Sequence, residues 1–190
     1  MPVKYFEVRW HGRAGQGAKS ASQMLAEAAL GAGKHVQAFP EYGAERSGAP
    51  MKAFNRIGDV PVLVRSSVEN PDVVVVIDDT LLSPAVAEGL SDDGVLLVNT
   101  AKDAAFVAEK TQFKKKICTV NATEIALQEI KRGIPNTPML GALAKVTGVV
   151  TPEALEARIE EMFGDKFPKE VVEANKHALK RGYEEVRCSQ

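Results

Sequence analysis

Asp72-Val73-Val74-Val75-Val76-Ile77-Asp78 is the stretch on which the fold of this chain turns. A continuous β-branched run offers no polar side to water, so both faces of this strand must be covered. That is the condition of a parallel strand between two layers of helices. Working back toward the N-terminus, Tyr5 to Trp10 alternates and ends at a glycine, as a first strand does. From Gly17 to Leu30 the spacing becomes helical, with Ala18, Ala21, Leu25, Ala28 and Ala29 on one side and a stop at Gly31-Ala32-Gly33. His35 to Phe39 reads as a second strand. Met51 to Ile57 and Val60 to Arg65 flank Gly58-Asp59 as the arms of a hairpin, and Pro61 puts the second arm at an edge or delays its start.

Working forward, Gly94–Asn99 precedes a helix near Asp103–Lys110, and Lys116–Val120 precedes another from about Thr123 to Arg132. Strands alternating with helices predict an α/β domain of three layers, α/β/α, around a mixed, mostly parallel sheet of about six strands. Beyond residue 134 the pattern is nearly all helix. Asn136-Thr137-Pro138 and Thr151-Pro152-Glu153 each place a capping residue ahead of a proline suited to a first turn, and a third helix runs from Lys169 to Tyr183 and Val186. The stripe Leu155, Ile159, Met162, Phe163 and the stripe Val171, Val172, Leu179, Tyr183 fit packing on the sheet, with a surface for partner subunits as the alternative. The expected layout is a single domain over 1–190, with an α/β core over 1–133 and a C-terminal helical extension over 134–190.

Bulk properties narrow the function. A net charge of -1 over 190 residues gives no footprint for nucleic acid. No apolar run approaches the ~18–20 residues of a membrane span, and Met1-Pro2-Val3-Lys4 lacks the apolar stretch of a secretory signal, so a cytoplasmic protein is expected. Cys118 lies in the apolar run Ile117-Cys118-Thr119-Val120 and is expected to be simply buried; Cys188 lies in a polar tail. With no CxxC spacing and no paired histidines, no metal site or iron–sulfur cluster is expected from this chain alone.

Two glycine loops carry the chemistry. The first is Trp10-His11-Gly12-Arg13-Ala14-Gly15-Gln16-Gly17-Ala18-Lys19-Ser20, and the second is Phe39-Pro40-Glu41-Tyr42-Gly43-Ala44-Glu45-Arg46-Ser47-Gly48-Ala49-Pro50. Strand, close glycines and helix start together make an anion cradle of free N–H groups at a positive helix end. In a P-loop, lysine follows the second glycine directly. Here Ala18 intervenes before Lys19-Ser20, which turns the lysine about 100° around the helix. No magnesium-binding acid stands out, since Asp78 and Asp79 read as strand-ending residues. The dinucleotide fingerprint also fails: Ser20 replaces the third glycine, and the nearest acid, Glu41, is late. What is left is a phosphate cradle without hydrolytic or redox chemistry, with Arg13, Lys19, Ser20, Ser22, Arg46 and Ser47 as donors. A tight turn with no ligand, and an exposed Glu45–Arg46 pair, are the plainer alternatives.

His11-Gly12-Arg13-Ala14-Gly15-Gln16-Gly17, Tyr42 to Pro50 and Asn136-Thr137-Pro138-Met139-Leu140-Gly141, in that order, closely resemble the gamma subunits of 2-oxoacid:ferredoxin oxidoreductases. The nearest likeness is to the four-subunit pyruvate:ferredoxin type. The resemblance implies a non-catalytic subunit of an enzyme that converts pyruvate and coenzyme A (CoA) to acetyl-CoA and CO2 and reduces ferredoxin. It also implies alpha, beta and delta partner subunits that hold thiamine diphosphate, Mg and [4Fe–4S] clusters. Carried onto this sequence, the CoA contacts are Gly15, Gln16, Gly17, Ala18, Ser22, Arg46 and Ser47. Relatives have a different polar residue at the Gln16 position and a lysine near Arg46, so individual hydrogen bonds stay open. Asn136 either touches ligand or caps its helix. Rival readings are a subunit acting on 2-oxoglutarate or a branched-chain oxoacid, a free-standing nucleotide-binding protein, and a structural scaffold.

Overall fold

The computed structural model describes residues 4–42 and 48–189. Among the described residues seven strands form one sheet: β1 (Phe6–Arg13), β2 (His35–Tyr42), β3 (Pro50–Gly58), β4 (Val73–Val76), β5 (Val95–Asn99), β6 (Ile117–Val120) and β7 (Arg187–Cys188). Their spatial order is β2-β3-β1-β4-β5-β6-β7. β1, β2, β4, β5 and β6 run one way, and β3 and β7 run the other. The sheet is therefore mixed and mostly parallel, as the valine run requires: all four residues of β4 are buried between β1 and β5.

Among the described residues six α-helices flank it: α1 (Ala18–Gly31), α2 (Ala104–Thr111), α3 (Ala122–Glu129), α4 (Asn136–Thr147), α5 (Pro152–Phe163) and α6 (Lys169–Glu185). The layers are unequal. Residues of α1, α3, α4, α5 and α6 share one apolar core with Trp10, Val75, Leu97 and Val120 of the sheet. On the other face, α2 and a short 3-10 turn at Pro84–Ala87 cover Val74, Val76, Leu96 and Val98. Leu155, Ile159, Val172 and Leu179 of the two C-terminal stripes are buried, but α5 and α6 pack on α1, α3 and α4, the helices next to the sheet, rather than on the strands themselves. Local signals set the helix starts: Asp103, Asn121 and Thr151 each accept a first-turn N–H with the side chain. No helix among the described residues is long and apolar enough to cross a membrane.

Two expectations are corrected. Met51–Ile57 is the second arm of a hairpin, not the first. It pairs antiparallel with β2 on one side and with β1 on the other. A strand with both neighbours in place has no edge left, so the segment around Val60–Arg65 runs as irregular chain across the sheet, with Pro61 accepting from Tyr5 Oη at 3.0 Å. The second correction concerns the cysteines. After α6 the chain turns back antiparallel to β6 and sets Cys188 opposite Cys118, where the two form a disulfide. Cys118 is buried as expected, but it is not a free thiol.

α4 and α6 cross at very short range. A Cβ on Gly141 would lie 1.9 Å from the Leu179 carbonyl oxygen, and one on Gly182 would lie 2.0 Å from that of Pro138. At this crossing Thr137 Oγ1 donates to Asn175 Oδ1 at 3.2 Å, which ties the start of α4 to α6.

Candidate functional site

β1 delivers the chain to Arg13, and the turn Ala14-Gly15-Gln16-Gly17 redirects it into α1. Gly15 and Gly17 take φ of 97° and 88°, left-handed values that a side chain disfavours. At Gly17 space also matters, because a Cβ there would meet Asn136 Cβ at 2.9 Å. The N-terminus of α4 is thus packed directly on the turn. Gly17 stands at the N-cap of α1 without a side-chain cap, so the first-turn N–H groups of Ala18, Lys19 and Ser20 have no partner within the helix. With the helix dipole behind them they have the features an anion cradle requires.

The side chains of the turn are organised by Asp78. Gln16 Nε2 donates to Asp78 Oδ2 at 2.7 Å, while Gln16 Oε1 accepts from the Arg13 N–H at 2.7 Å. Arg13 Nε donates to the same Oδ2 at 3.1 Å, and Arg13 Nη2 donates to Thr80 Oγ1 at 3.0 Å. Oδ1 of Asp78 accepts from the Thr80 N–H at 3.0 Å and from Thr80 Oγ1 at 2.6 Å. Burial alone would favour the neutral acid. Hydrogen bonds from Thr80 and Gln16 and the charge of Arg13 outweigh it and hold the carboxyl below its ordinary value.

The second loop returns to the same place. Arg13 Nη1 donates to the Gly48 carbonyl at 3.2 Å, and the Ala14 N–H donates to the Ala49 carbonyl at 3.0 Å. Next to the turn, at the carboxyl ends of β4, β5 and β6, lies a polar cleft of about 290 Å3 lined in part by Gln16, Asp78, Asp79, Thr100, Asn121 and Thr123. Open α/β sheets present ligand sites at this end of their strands. Asn99 knits its floor, donating to the Ile77 carbonyl and Thr123 Oγ1, both at 2.8 Å. His11, though part of the glycine motif, lies on the sheet face away from α1. There it borders a separate pocket of about 380 Å3 with Glu41, Lys52 and Glu88. Burial, then the charges of Arg9 and Lys52, push its pKa down to about 3, so the ring is neutral.

Of the residues singled out from sequence, Gly15, Gln16, Gly17 and Ala18 come together in the turn, with Lys19 and Ser20 exposed beside them. Both ends of the Gln16 side chain are bonded inside the protein. Ser22 does not reach the open side. It is 1 % exposed, its hydroxyl donates to the Lys19 carbonyl, and its own carbonyl accepts from Asn55. Glu45, Arg46 and Ser47 lie outside the described residues. Asp78, read from sequence only as a strand-ending acid, and Asn136, read as touching ligand or capping its helix, both touch the turn. Asp78 was detectable in principle, since it ends the central strand next to β1 at the sheet's carboxyl edge. Asn136 does not cap α4: Pro135 stands at the N-cap with no side-chain bond, and Asn136 Oδ1 accepts from the neighbouring Thr137 N–H at 2.9 Å.

A family model described as pyruvate ferredoxin/flavodoxin oxidoreductase matches residues 7–185, nearly the whole chain. The chain belongs to the pyruvate ferredoxin/flavodoxin oxidoreductase family. Within the family it is similar to the pyruvate synthase subunit PorC of Thermotoga maritima, at 77% identity over 192 residues and all of both chains. It is 48% identical over 182 residues to the pyruvate/ketoisovalerate oxidoreductases common subunit gamma of Pyrococcus furiosus, covering 95% of this chain and 96% of that one. The crystal structure of the Thermotoga maritima pyruvate oxidoreductase subunit PORC matches the fold with a TM-score of 0.91. Identity there is 74%, over 98% of this chain and 99% of that chain. The family read from the three motifs is thus the family found.

Proposed function

We propose that this chain is the gamma subunit of a multisubunit pyruvate:ferredoxin oxidoreductase, and that its glycine turn forms the phosphate-binding wall of the coenzyme A site. The high identity to a pyruvate synthase subunit along the full length supports the first half. The observation that carries the second is the junction of the two loops, where Arg13 and Ala14 hold Gly48 and Ala49 against the open N-terminus of α1. CoA carries a pyrophosphate and a 3′-phosphate, and a helix N-terminus beside a basic loop suits both charges. In the assembled enzyme, pyruvate and CoA become acetyl-CoA and CO2, and the electrons pass to ferredoxin. Thiamine diphosphate with Mg supplies the carbanion chemistry and [4Fe–4S] clusters carry the electrons, all in the alpha, beta and delta partners. This chain binds and orients the thiol substrate.

Arg46→Ala in the assembled complex tests this. The KM for CoA is expected to rise about tenfold, the value of one charge-assisted hydrogen bond, while the KM for pyruvate barely moves. Equal changes in both would assign the loop a structural role. A second reading has one observation in its favour: the Pyrococcus furiosus relative is a subunit common to pyruvate and ketoisovalerate enzymes. Rates of the purified complex with pyruvate against branched-chain 2-oxoacids separate the two.

A further inference from the structure

Asp78 lies outside the family motifs, yet its carboxylate gathers Gln16, Arg13 and Thr80 at the edge of the glycine turn. Its side chain is 13 % exposed, and its two oxygens take four donors: Gln16 Nε2 and Arg13 Nε on one, the Thr80 N–H and hydroxyl on the other. Through Gln16 it reaches the middle of the glycine turn. Through Arg13 it reaches the end of β1, and from there Gly48 and the return of the second loop. Two backbone bonds hold the entry of the turn, from the Gln16 N–H to the Arg13 carbonyl at 3.1 Å and from the Ala14 N–H to the Ala49 carbonyl at 3.0 Å, while Gly15 and Gly17 keep left-handed geometry. The side chains of Gln16 and Arg13 add a further anchor, the carboxylate just past β4.

The charges point the same way. Arg13 is the cation nearest the turn by sequence, and it was an obvious phosphate ligand. In the structure three of its nitrogens are engaged, by Asp78, Gly48 and Thr80, and its charge is paired. We propose that Asp78 is the positioning residue of this anion site and that Arg13 is its strut: the pair presets the turn and docks the second loop, and the anion is met by backbone N–H groups and by cations other than Arg13. This rests on the reading of the turn as a CoA phosphate site.

Asp78→Asn is the informative change. The amide keeps the shape but sets an NH2 against the donors on one side, so either the Gln16–Arg13 side or the Thr80 side is lost. In the assembled enzyme the KM for CoA is expected to rise by about tenfold or more, with kcat at saturating CoA and the KM for pyruvate near wild type. Hydrogen exchange on the isolated chain, read on the peptide over residues 13–18, is expected to quicken. Thr80→Val removes an exposed hydroxyl that serves both Asp78 and Arg13, and should shift both readouts the same way by a smaller amount without threatening the fold. Faster exchange with an unchanged KM for CoA would leave the anchor standing and remove the CoA reading of the turn. Unchanged exchange in both variants would overturn the anchor itself, whatever happens to the KM. Parallel rises in both KM values with poor assembly would also overturn it, by making Asp78 a residue of general stability.

Discussion

Replacing Gly141 by alanine sets two physical effects against each other with opposite signs. Helix propensity alone favours the change by about 1 kcal/mol, because glycine loses more backbone freedom than alanine on entering a helix. The structure says otherwise. The new Cβ would sit 1.9 Å from the Leu179 carbonyl oxygen, 2.9 Å from its carbon and 3.0 Å from the Tyr183 nitrogen, all of them backbone atoms of α6. No rotamer relieves a contact between main chains. To bring 1.9 Å out to about 3 Å, the two helices must part by about 1 Å along a face that includes Met139, Leu140, Ala178 and Leu179, and the Thr137–Asn175 hydrogen bond must stretch. Overpacking of this kind costs about 1–3 kcal/mol. A backbone clash belongs at the upper end, so the net loss after the propensity gain is about 2 kcal/mol. For a chain of this length that is a fall in Tm of about 4–8 °C. Thermal unfolding of the chain by circular dichroism reads it, with Gly31→Ala as the control: Gly31 ends α1 with open space where a Cβ would go, and should shift Tm little or upward. A Gly141→Ala variant as stable as wild type, or about 2–4 °C more so, would refute the close-crossing account and leave propensity in charge.

Other perturbations probe other layers. Cys188→Ser opens a loop of sequence separation 70, and on the chain-entropy account should lower stability by up to about 4 kcal/mol; urea midpoints in oxidised and reduced buffer check it, and a midpoint indifferent to both mutation and reductant would discount the cross-link. The neutral, depressed His11 makes an acid prediction. Its folded pKa of about 3 lies below the unfolded 6.5, so the unfolded chain takes up the proton first and stability falls as pH drops between those values. At pH 5 the contribution is about 2 kcal/mol relative to pH 7. His11→Gln should flatten that part of the curve, and identical pH slopes for the two proteins would contradict the buried neutral imidazole.

The parts of the fold that could be read from sequence are those fixed by local chemistry. The valine run of β4 had to be covered on both faces, and Asp103 and Thr151 announce their helices because a capping side chain needs only the next turn. The glycine turn is local in the same sense. What escaped depends on partners far along the chain. Val60–Arg65 has the composition of a strand, but whether it pairs depends on β1 already holding β3. Cys118 meets Cys188 only because the chain reverses after α6 and lands in register. The candidate site divides along the same line. The glycine turn lies within consecutive residues, whereas Asp78, just past β4, shows its contact with the turn only in three dimensions, and Asn136, legible as part of a motif, shows only there that it packs on Gly17.

The two ends of the sheet bear on how this chain resists strand-to-strand association while it folds. An exposed strand edge is a template on which another chain can add itself. At one border β2 carries Pro40, which has no N–H to offer an incoming strand. At the other, the longer β6 is shielded by β7, a strand of two residues that leaves too little ladder to recruit a newcomer, and the disulfide keeps that shield from peeling away. The last turn of the polypeptide, which adds almost nothing to the core, thereby acts as a guard against aggregation.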